Sequence, residues 1–145
     1  MLFGNDREQM RRYFCDVWRK KNTGQALEPL EGIIADVIAL HPEYQRLLAD
    51  PDSAVQRDFT PEDGEPNPFL HMGMHIAIQE QLTTNRPAGI LDIYQSLCRR
   101  FADAHTAEHQ MMECLGEILW EAQRNGTAPD EALYLQKLKR LTRQN

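Results

Sequence analysis

The sequence predicts an all-α protein, a single-domain helical bundle of about five to seven helices that spans residues 1–145. Apolar residues recur at helical spacing through most of the chain. Alternating β-branched runs joined by Asn-Gly or Asp-Gly turns, which would indicate hairpins, do not occur. The length of 145 residues matches the commonest size of a domain with one core.

The N-terminal part predicts two helices and a third, short one. The first helix begins after Asn5 and extends to about Lys21, and the second covers about residues 28–40. His41 is the next position on the buried stripe of the second helix. Pro42 disfavours helical geometry at His41 and suits the start of a short helix over 42–49.

The middle of the chain predicts a long ordered loop followed by a buried helix. Residues 50–67 contain three prolines, one glycine and several acids, which predicts a long ordered loop with room for one helical turn. Asn67 is a good N-cap and Pro68 suits the first position of a helix that extends to Thr84. This helix is apolar nearly all round, which is typical of a central position in a bundle.

The C-terminal part predicts three more helices. One spans about residues 88–101, and a second begins at Asp103 and ends near Arg124, before Asn125-Gly126. The sequence leaves open whether these two are one continuous helix. A last, basic helix begins at Asp130.

The net charge of −6 hides an uneven distribution. Residues 1–21 carry six basic and three acidic side chains (+3), and residues 137–145 carry four basic ones and no acid (+4). The stretch between them has six basic and nineteen acidic side chains (−13) and holds all five histidines. An acidic surface repels phosphate, so we expect no nucleic-acid partner. The basic terminal helices either pack against the acidic middle or contact a homodimer mate or another protein partner.

The cysteines and the hydropathy predict a cytoplasmic protein without a membrane span. Cys15, Cys98 and Cys114 form no Cys-x-x-Cys motif and lie in apolar helical contexts, which indicates buried free thiols in a reducing compartment. No apolar run is long enough to cross a bilayer, and the N-terminus does not resemble a secretory signal.

The most informative pattern is two histidine pairs at i,i+4 spacing, His71/His75 and His105/His109. This spacing places both rings of a pair on one helix face, one turn apart. Four neutral imidazoles in one core without an ion would leave polar nitrogens unsatisfied. The two pairs therefore predict a buried metal site.

Other residues are candidates to complete this site. His41 closes the apolar stripe of the second helix, Glu43 follows it, and Glu113 is one turn beyond His109. Glu108 is a weaker candidate, and Gln79 is a candidate to orient a ring. The predicted metal ligands are His41, Glu43, His71, His75, His105, His109 and Glu113. Imidazole suits zinc, iron and nickel, with zinc or iron preferred here.

Two other functions remain open at this stage. A metal-dependent hydrolase would use Glu43 or Glu108 as the base on a metal-bound water, with the 50–67 loop as a lid. A metal-free helical adaptor would use the histidines as core polar groups and the basic terminal helices to bind a partner.

Known metal motifs fit only in part. The Glu-x-x-His element of ferritin-like bundles does not occur, and the pattern resembles hemerythrin-like bundles without their His-x₄-Asp element. His105-Thr-Ala-Glu-His109 matches the inverzincin string, but only 36 residues follow it, too few for that protease fold. No phosphate-binding glycine loop or dinucleotide fingerprint occurs, which argues against NTPases and nicotinamide enzymes.

Four segments resemble a bacterial family of small proteins known only as a domain of unknown function. They are HPEY at 41–44, NPFLHMGMHIAIQEQ at 67–81, RPAGI at 86–90 and AEHQMMECLGEILWEAQ at 107–123. The resemblance extends over about residues 5–142 and implies a cytoplasmic helical protein without an established activity. The candidate ligands lie in or beside these segments.

Overall fold

The computed structural model describes residues 7–56 and 67–143, and within them it contains eight α-helices and no strand. The helices are α1 (Arg7–Asn22), α2 (Pro29–Ala39), α3 (Pro42–Leu48), α4 (Pro51–Gln56), α5 (Pro68–Thr84), α6 (Ile90–Phe101), α7 (Ala104–Asn125) and α8 (Glu131–Arg143). The all-α prediction is confirmed.

The predicted number of five to seven helices is wrong, and α4 accounts for the difference. Pro51 begins this six-residue helix inside the segment that the sequence predicts as a loop. The Asp50 carboxylate accepts a hydrogen bond from the Ser53 backbone N–H at 3.4 Å, as an N-cap does. A helix this short contains too few apolar residues to show a helical period. The rest of the predicted loop, residues 57–66, lies outside the described residues.

Residues with positive φ separate α6 from α5 before it and from α7 after it. Asn85 follows α5 with φ 50°, and Gly89 precedes α6 with φ 95°. Between α6 and α7, Ala102 adopts φ 55°, and the Asp103 side chain accepts hydrogen bonds from the first N–H groups of α7. The chain therefore forms two separate helices here, which resolves the alternative that the sequence left open.

The chain divides into two compact units, Met1–Ile76 and Ala77–Asn145, with the boundary inside α5. The prediction of one domain over residues 1–145 stays a prediction. In the first unit, α1 packs against α2, α3 and α4. Its buried core is Phe14, Cys15, Val17, Ile34, Ala35, Val37, Ile38, Leu48, Ala54, Phe69, Met72 and Ile76.

The second unit is built on α6, α7 and α8, which pack against one another. Its buried apolar residues include Ile78, Ile90, Leu97, Met111, Ile118 and Leu138. The basic α8 meets an acidic helix here, because Lys137 Nζ lies 2.9 Å from a Glu117 carboxylate oxygen. None of the described helices combines the length and the apolar character that crossing a membrane requires.

A buried arginine joins three helices of the first unit. The Arg11 side chain is 1% exposed, and its guanidinium donates to the backbone carbonyls of Ala54 (3.2 Å) and Val55 (3.3 Å) in the last turn of α4. The same guanidinium lies 4.8 Å from the centre of the Phe69 ring, which also stacks on Phe14 at 6.0 Å. These contacts fix the start of α5, two residues before His71.

Candidate metal centre

Three histidines of the first unit come together from two places in the fold. His71 and His75 lie one turn apart on α5, as their spacing predicts. His41 lies at the junction of α2 and α3, where Pro42 ends the helical run and begins the next helix. This junction turns the His41 ring toward α5. We call these three side chains the histidine triad.

The backbone of α2 fixes the orientation of the His41 ring. Its Nδ1 atom lies 2.7 Å from the carbonyl oxygen of Val37. Because a carbonyl oxygen only accepts hydrogen bonds, Nδ1 must carry the proton in this contact. The lone pair of the neutral ring then resides on Nε2. Carbonyl bonds of this kind commonly hold metal-binding histidines in the ligating tautomer.

The two histidines of α5 direct the same kind of atom at each other. His71 Nε2 and His75 Nε2 are 3.2 Å apart. Without a metal, one of these nitrogens must carry a proton and donate it to the other. With both protons on Nδ1, the two lone pairs would face a shared point. Two nitrogens that bind one ion through bonds of about 2.0–2.1 Å lie about 2.8–3.4 Å apart, for angles at the metal between 90° and the tetrahedral value.

The triad forms a nearly equilateral triangle of rings. The ring centres are separated by 5.2 Å (His41–His71), 4.7 Å (His41–His75) and 4.8 Å (His71–His75). One candidate ligand nitrogen from each ring lies within 4.8 Å of the others. His41 is 3% exposed and His75 is 1% exposed, whereas His71 is half-buried. The triad is therefore a compact group of borderline donors that could hold a transition-metal ion.

Tyr44 borders the triad, and the sequence analysis did not select it. Its ring stacks on His41 with the centres 5.5 Å apart and the planes 16° apart, and it lies at the edge of His71 at 6.2 Å. Burial, and then the Glu43 carboxylate, raise the pKa of its hydroxyl. The signal that could have found Tyr44 is its i+3 position from His41, which marks the same face of a helical turn.

The second histidine pair belongs to the second unit. His105 and His109 lie one turn apart on α7, their ring centres are 4.2 Å apart, and both rings are half-buried. Asp103 caps this helix, since its carboxylate accepts from the Thr106 N–H at 3.1 Å and from the Thr106 hydroxyl at 2.6 Å. The sequence prediction that these two rings share a helix face is confirmed.

The carboxylates near the histidines differ in burial. Glu43 and Glu113, two of the predicted ligands, are exposed. Glu108, the weaker candidate, is only 5% exposed, and its carboxylate accepts a hydrogen bond of 3.1 Å from the Gln79 amide. Sequence reasoning underestimated Glu108 because a charged side chain seldom faces a core without a partner, and its partner comes from another helix.

The cysteines take no part in the triad. Cys15 and Cys114 are buried, and Cys98 is half-buried, so the expectation of three buried thiols fits two of them. Burial raises the pKa of the Cys15 thiol to about 11 and also raises that of Cys114. Both groups are therefore neutral thiols at physiological pH and poor metal ligands.

Comparison with known proteins yields one match. The sequence profile of the family described as Domain of unknown function (DUF1841) matches residues 6–140. No curated protein and no solved structure matches the chain. The match extends over nearly the whole sequence, and the chain therefore belongs to this uncharacterised family.

Proposed function

We propose that this member of the DUF1841 family is a metal-binding protein whose centre is built on His41, His71 and His75. The observation that carries the proposal is the triangle of three imidazole rings, 4.7–5.2 Å apart, in a largely buried site. Clustering three basic rings away from water is costly unless their nitrogens are satisfied together. One cation satisfies all three lone pairs at once.

The bond from Val37 to His41 supports the same proposal. A core histidine needs no particular tautomer, whereas a ligand must present a lone pair toward the metal. The 2.7 Å contact at Nδ1 assigns that lone pair to Nε2 before any metal arrives. Preorganised rings lose less freedom on binding an ion, which raises the affinity.

We also propose His109 as a fourth ligand, on the sequence grounds of its i,i+4 pair with His105. His105, Glu43 and Glu113 remain candidate ligands on sequence grounds, and the exposure of both glutamates makes them less suited to a buried ion.

The donor set favours zinc or iron, with nickel as a further candidate. Neutral imidazoles are borderline donors that bind late first-row metals well and magnesium or calcium poorly. The buried thiols have raised pKa values and do not compete for the ion. Free cysteines also fit a reducing compartment, which supports a cytoplasmic location as part of the proposal.

The test is a metal analysis of the full chain, purified without a histidine tag, beside the variants His75→Ala and His109→Ala. We expect close to one metal ion per chain in the wild type and a loss of bound metal in both variants. Retention in His109→Ala would restrict the centre to the triad. If the wild type takes up neither zinc nor anaerobic iron(II), the metal proposal is wrong and the helical adaptor takes its place.

A hydrolase remains a second candidate because Glu108 is a buried acid bonded to Gln79. A carboxylate beside a metal-bound water is the usual base in metal-assisted hydrolysis. Glu108→Gln keeps the volume and the hydrogen bond to Gln79 but removes the base. A hydrolase would lose its activity and keep its metal in this variant, whereas a purely structural centre has no activity to lose.

A further inference from the structure

The rings of the triad are not equally covered. His41 and His75 are almost fully buried, whereas His71 is half-buried and follows the exposed Leu70. The triad is therefore least covered at His71. A metal with an exchangeable ligand needs an approach from solvent, and a fully enclosed structural ion does not.

Tyr44 lies on this accessible side. Its ring is stacked on the buried His41 and lies at the edge of the half-buried His71, so it contacts one buried ring and the least buried ring of the triad. A half-buried phenol beside a metal centre can donate a hydrogen bond to a molecule bound there.

The spacing of the rings places the three ligands on one side of a metal ion. With metal–nitrogen bonds of about 2.0–2.2 Å, ring centres lie about 5.1–5.5 Å apart at tetrahedral angles and about 4.5–4.7 Å apart at right angles. The observed distances between ring centres, 5.2, 4.7 and 4.8 Å, lie between these limits. The side of the ion opposite the triad would hold at least one further position, and more than one if the ion has more than four ligands.

The charge of the site indicates which molecule would bind. Neutral imidazoles leave both positive charges of a divalent ion uncompensated. Within the described residues of the first unit, the carboxylate nearest to the triad in sequence is Glu43, which is exposed. A buried dication held by uncharged ligands alone is unfavourable, so an anion on the metal would lower the free energy of the complex.

We propose that the metal on the histidine triad keeps an exchangeable position beside Tyr44, which takes a small anion with an oxygen or nitrogen donor atom. Tyr44 acts as a positioning residue that donates its hydroxyl hydrogen to the bound anion. This inference rests on the metal-binding function proposed above. It specifies the class of ligand that the metal binds and the side from which that ligand reaches the metal.

The experiment uses the full chain loaded with cobalt(II), with azide as the probe. Cobalt absorption reports the number and kind of ligands, and it first establishes one bound ion per chain. Azide is then titrated into the wild type, Tyr44→Phe and Tyr13→Phe. Tyr13 is the matched control, a half-buried tyrosine of the same unit on α1.

We expect azide to change the cobalt spectrum of the wild type and of Tyr13→Phe with the same affinity. In Tyr44→Phe, the spectrum without azide stays the same, and the azide affinity falls about tenfold, as expected for one hydrogen bond to a charged ligand.

A stoichiometric cobalt site with no response to azide would overturn this inference and leave the metal function intact. Equal azide affinity in Tyr44→Phe would overturn the role of Tyr44. A wild type that binds no cobalt would overturn the proposed function itself.

Discussion

The two histidine pairs have the same spacing and lie in different surroundings. His71 and His75 meet a third ring, His41, whose tautomer is fixed by the backbone of α2. His105 and His109 lie 4.2 Å apart on α7, near a capping carboxylate and a buried glutamate, and both are half-buried. This second pair belongs to the second unit, Ala77–Asn145.

The difference shows what i,i+4 spacing determines and what it does not. The spacing places two rings side by side on any helix, because 3.6 residues complete one turn. A site needs a third group from another element, and His41 supplies it to the first pair. We therefore expect the first pair to dominate metal binding.

The largest expected effect is a difference in metal affinity between variants of the two histidine pairs. His75→Ala removes a ring from the triad and should weaken metal binding by about 100-fold or more, since losing even an outer partner of a ligand costs about 10–100-fold. His105→Ala is the matched control, with an equal change in volume on α7. Competition with a chelator measures both affinities. Equal losses would contradict the dominance of the first pair.

A second comparison concerns two arginines that bond to helix carbonyls. Arg11 is buried and donates to Ala54 and Val55, whereas Arg100 is half-buried and donates to the Leu141 carbonyl. We expect Arg11→Met to lower the free energy of unfolding by about 2–3 kcal/mol and Arg100→Met by about 1 kcal/mol. Urea denaturation of both variants measures the difference. A larger loss for Arg100→Met would contradict the importance of burial.

A third comparison concerns acid sensitivity. A hydrogen bond from the Glu28 N–H, and then Lys20, hold the pKa of Glu31 below its usual 4.5. The stability that Glu31 contributes is therefore complete above the pKa of the unfolded chain and is lost as the pH falls through the folded value. Glu31→Gln should flatten the decline in unfolding free energy below about pH 4.5.

The control for this prediction is Glu117→Gln in the second unit. Glu117 also pairs with a lysine at 2.9 Å, but its side chain is 61% exposed, and exposed pairs contribute little. Thermal melts between pH 3 and pH 7 compare the two variants with the wild type. A wild-type acid profile in Glu31→Gln would disprove the role of the Glu28 and Lys20 contacts.

The smallest expected effect is a difference in reactivity between two thiols, which involves no change in the stability of the protein. Cys98 is half-buried, whereas Cys15 is buried and has a pKa of about 11. A maleimide reagent should therefore label Cys98 first in the native chain, since reaction requires an accessible thiolate. Mass spectrometry of a labelling time course identifies the order. Early labelling of Cys15 would show that the packing around α1 opens readily.

The sequence predicted most helices because their apolar periods and capping residues are local properties. Pro42 and Pro68 each begin a helix where the sequence predicts one. The sequence analysis missed α4 because six residues hold no full helical period.

The positions of the histidines were predictable from the sequence, and their surroundings were less so. Both pairs and His41 follow from spacing and from the stripe of α2. Tyr44 and the buried Glu108 depend on contacts between helices, which a single sequence does not encode locally. The exposure of Glu43 and Glu113 likewise depends on how each helix is rotated against its neighbours.

The most direct test of the histidine triad is the metal content of the variant His41→Ala beside the wild type. His41 lies outside both i,i+4 pairs, so only the three-ring arrangement makes it a ligand. We predict close to one metal ion per wild-type chain and a large loss in His41→Ala, with the helical content unchanged by circular dichroism. Full retention of metal in the folded variant would contradict the triad as the centre of the site.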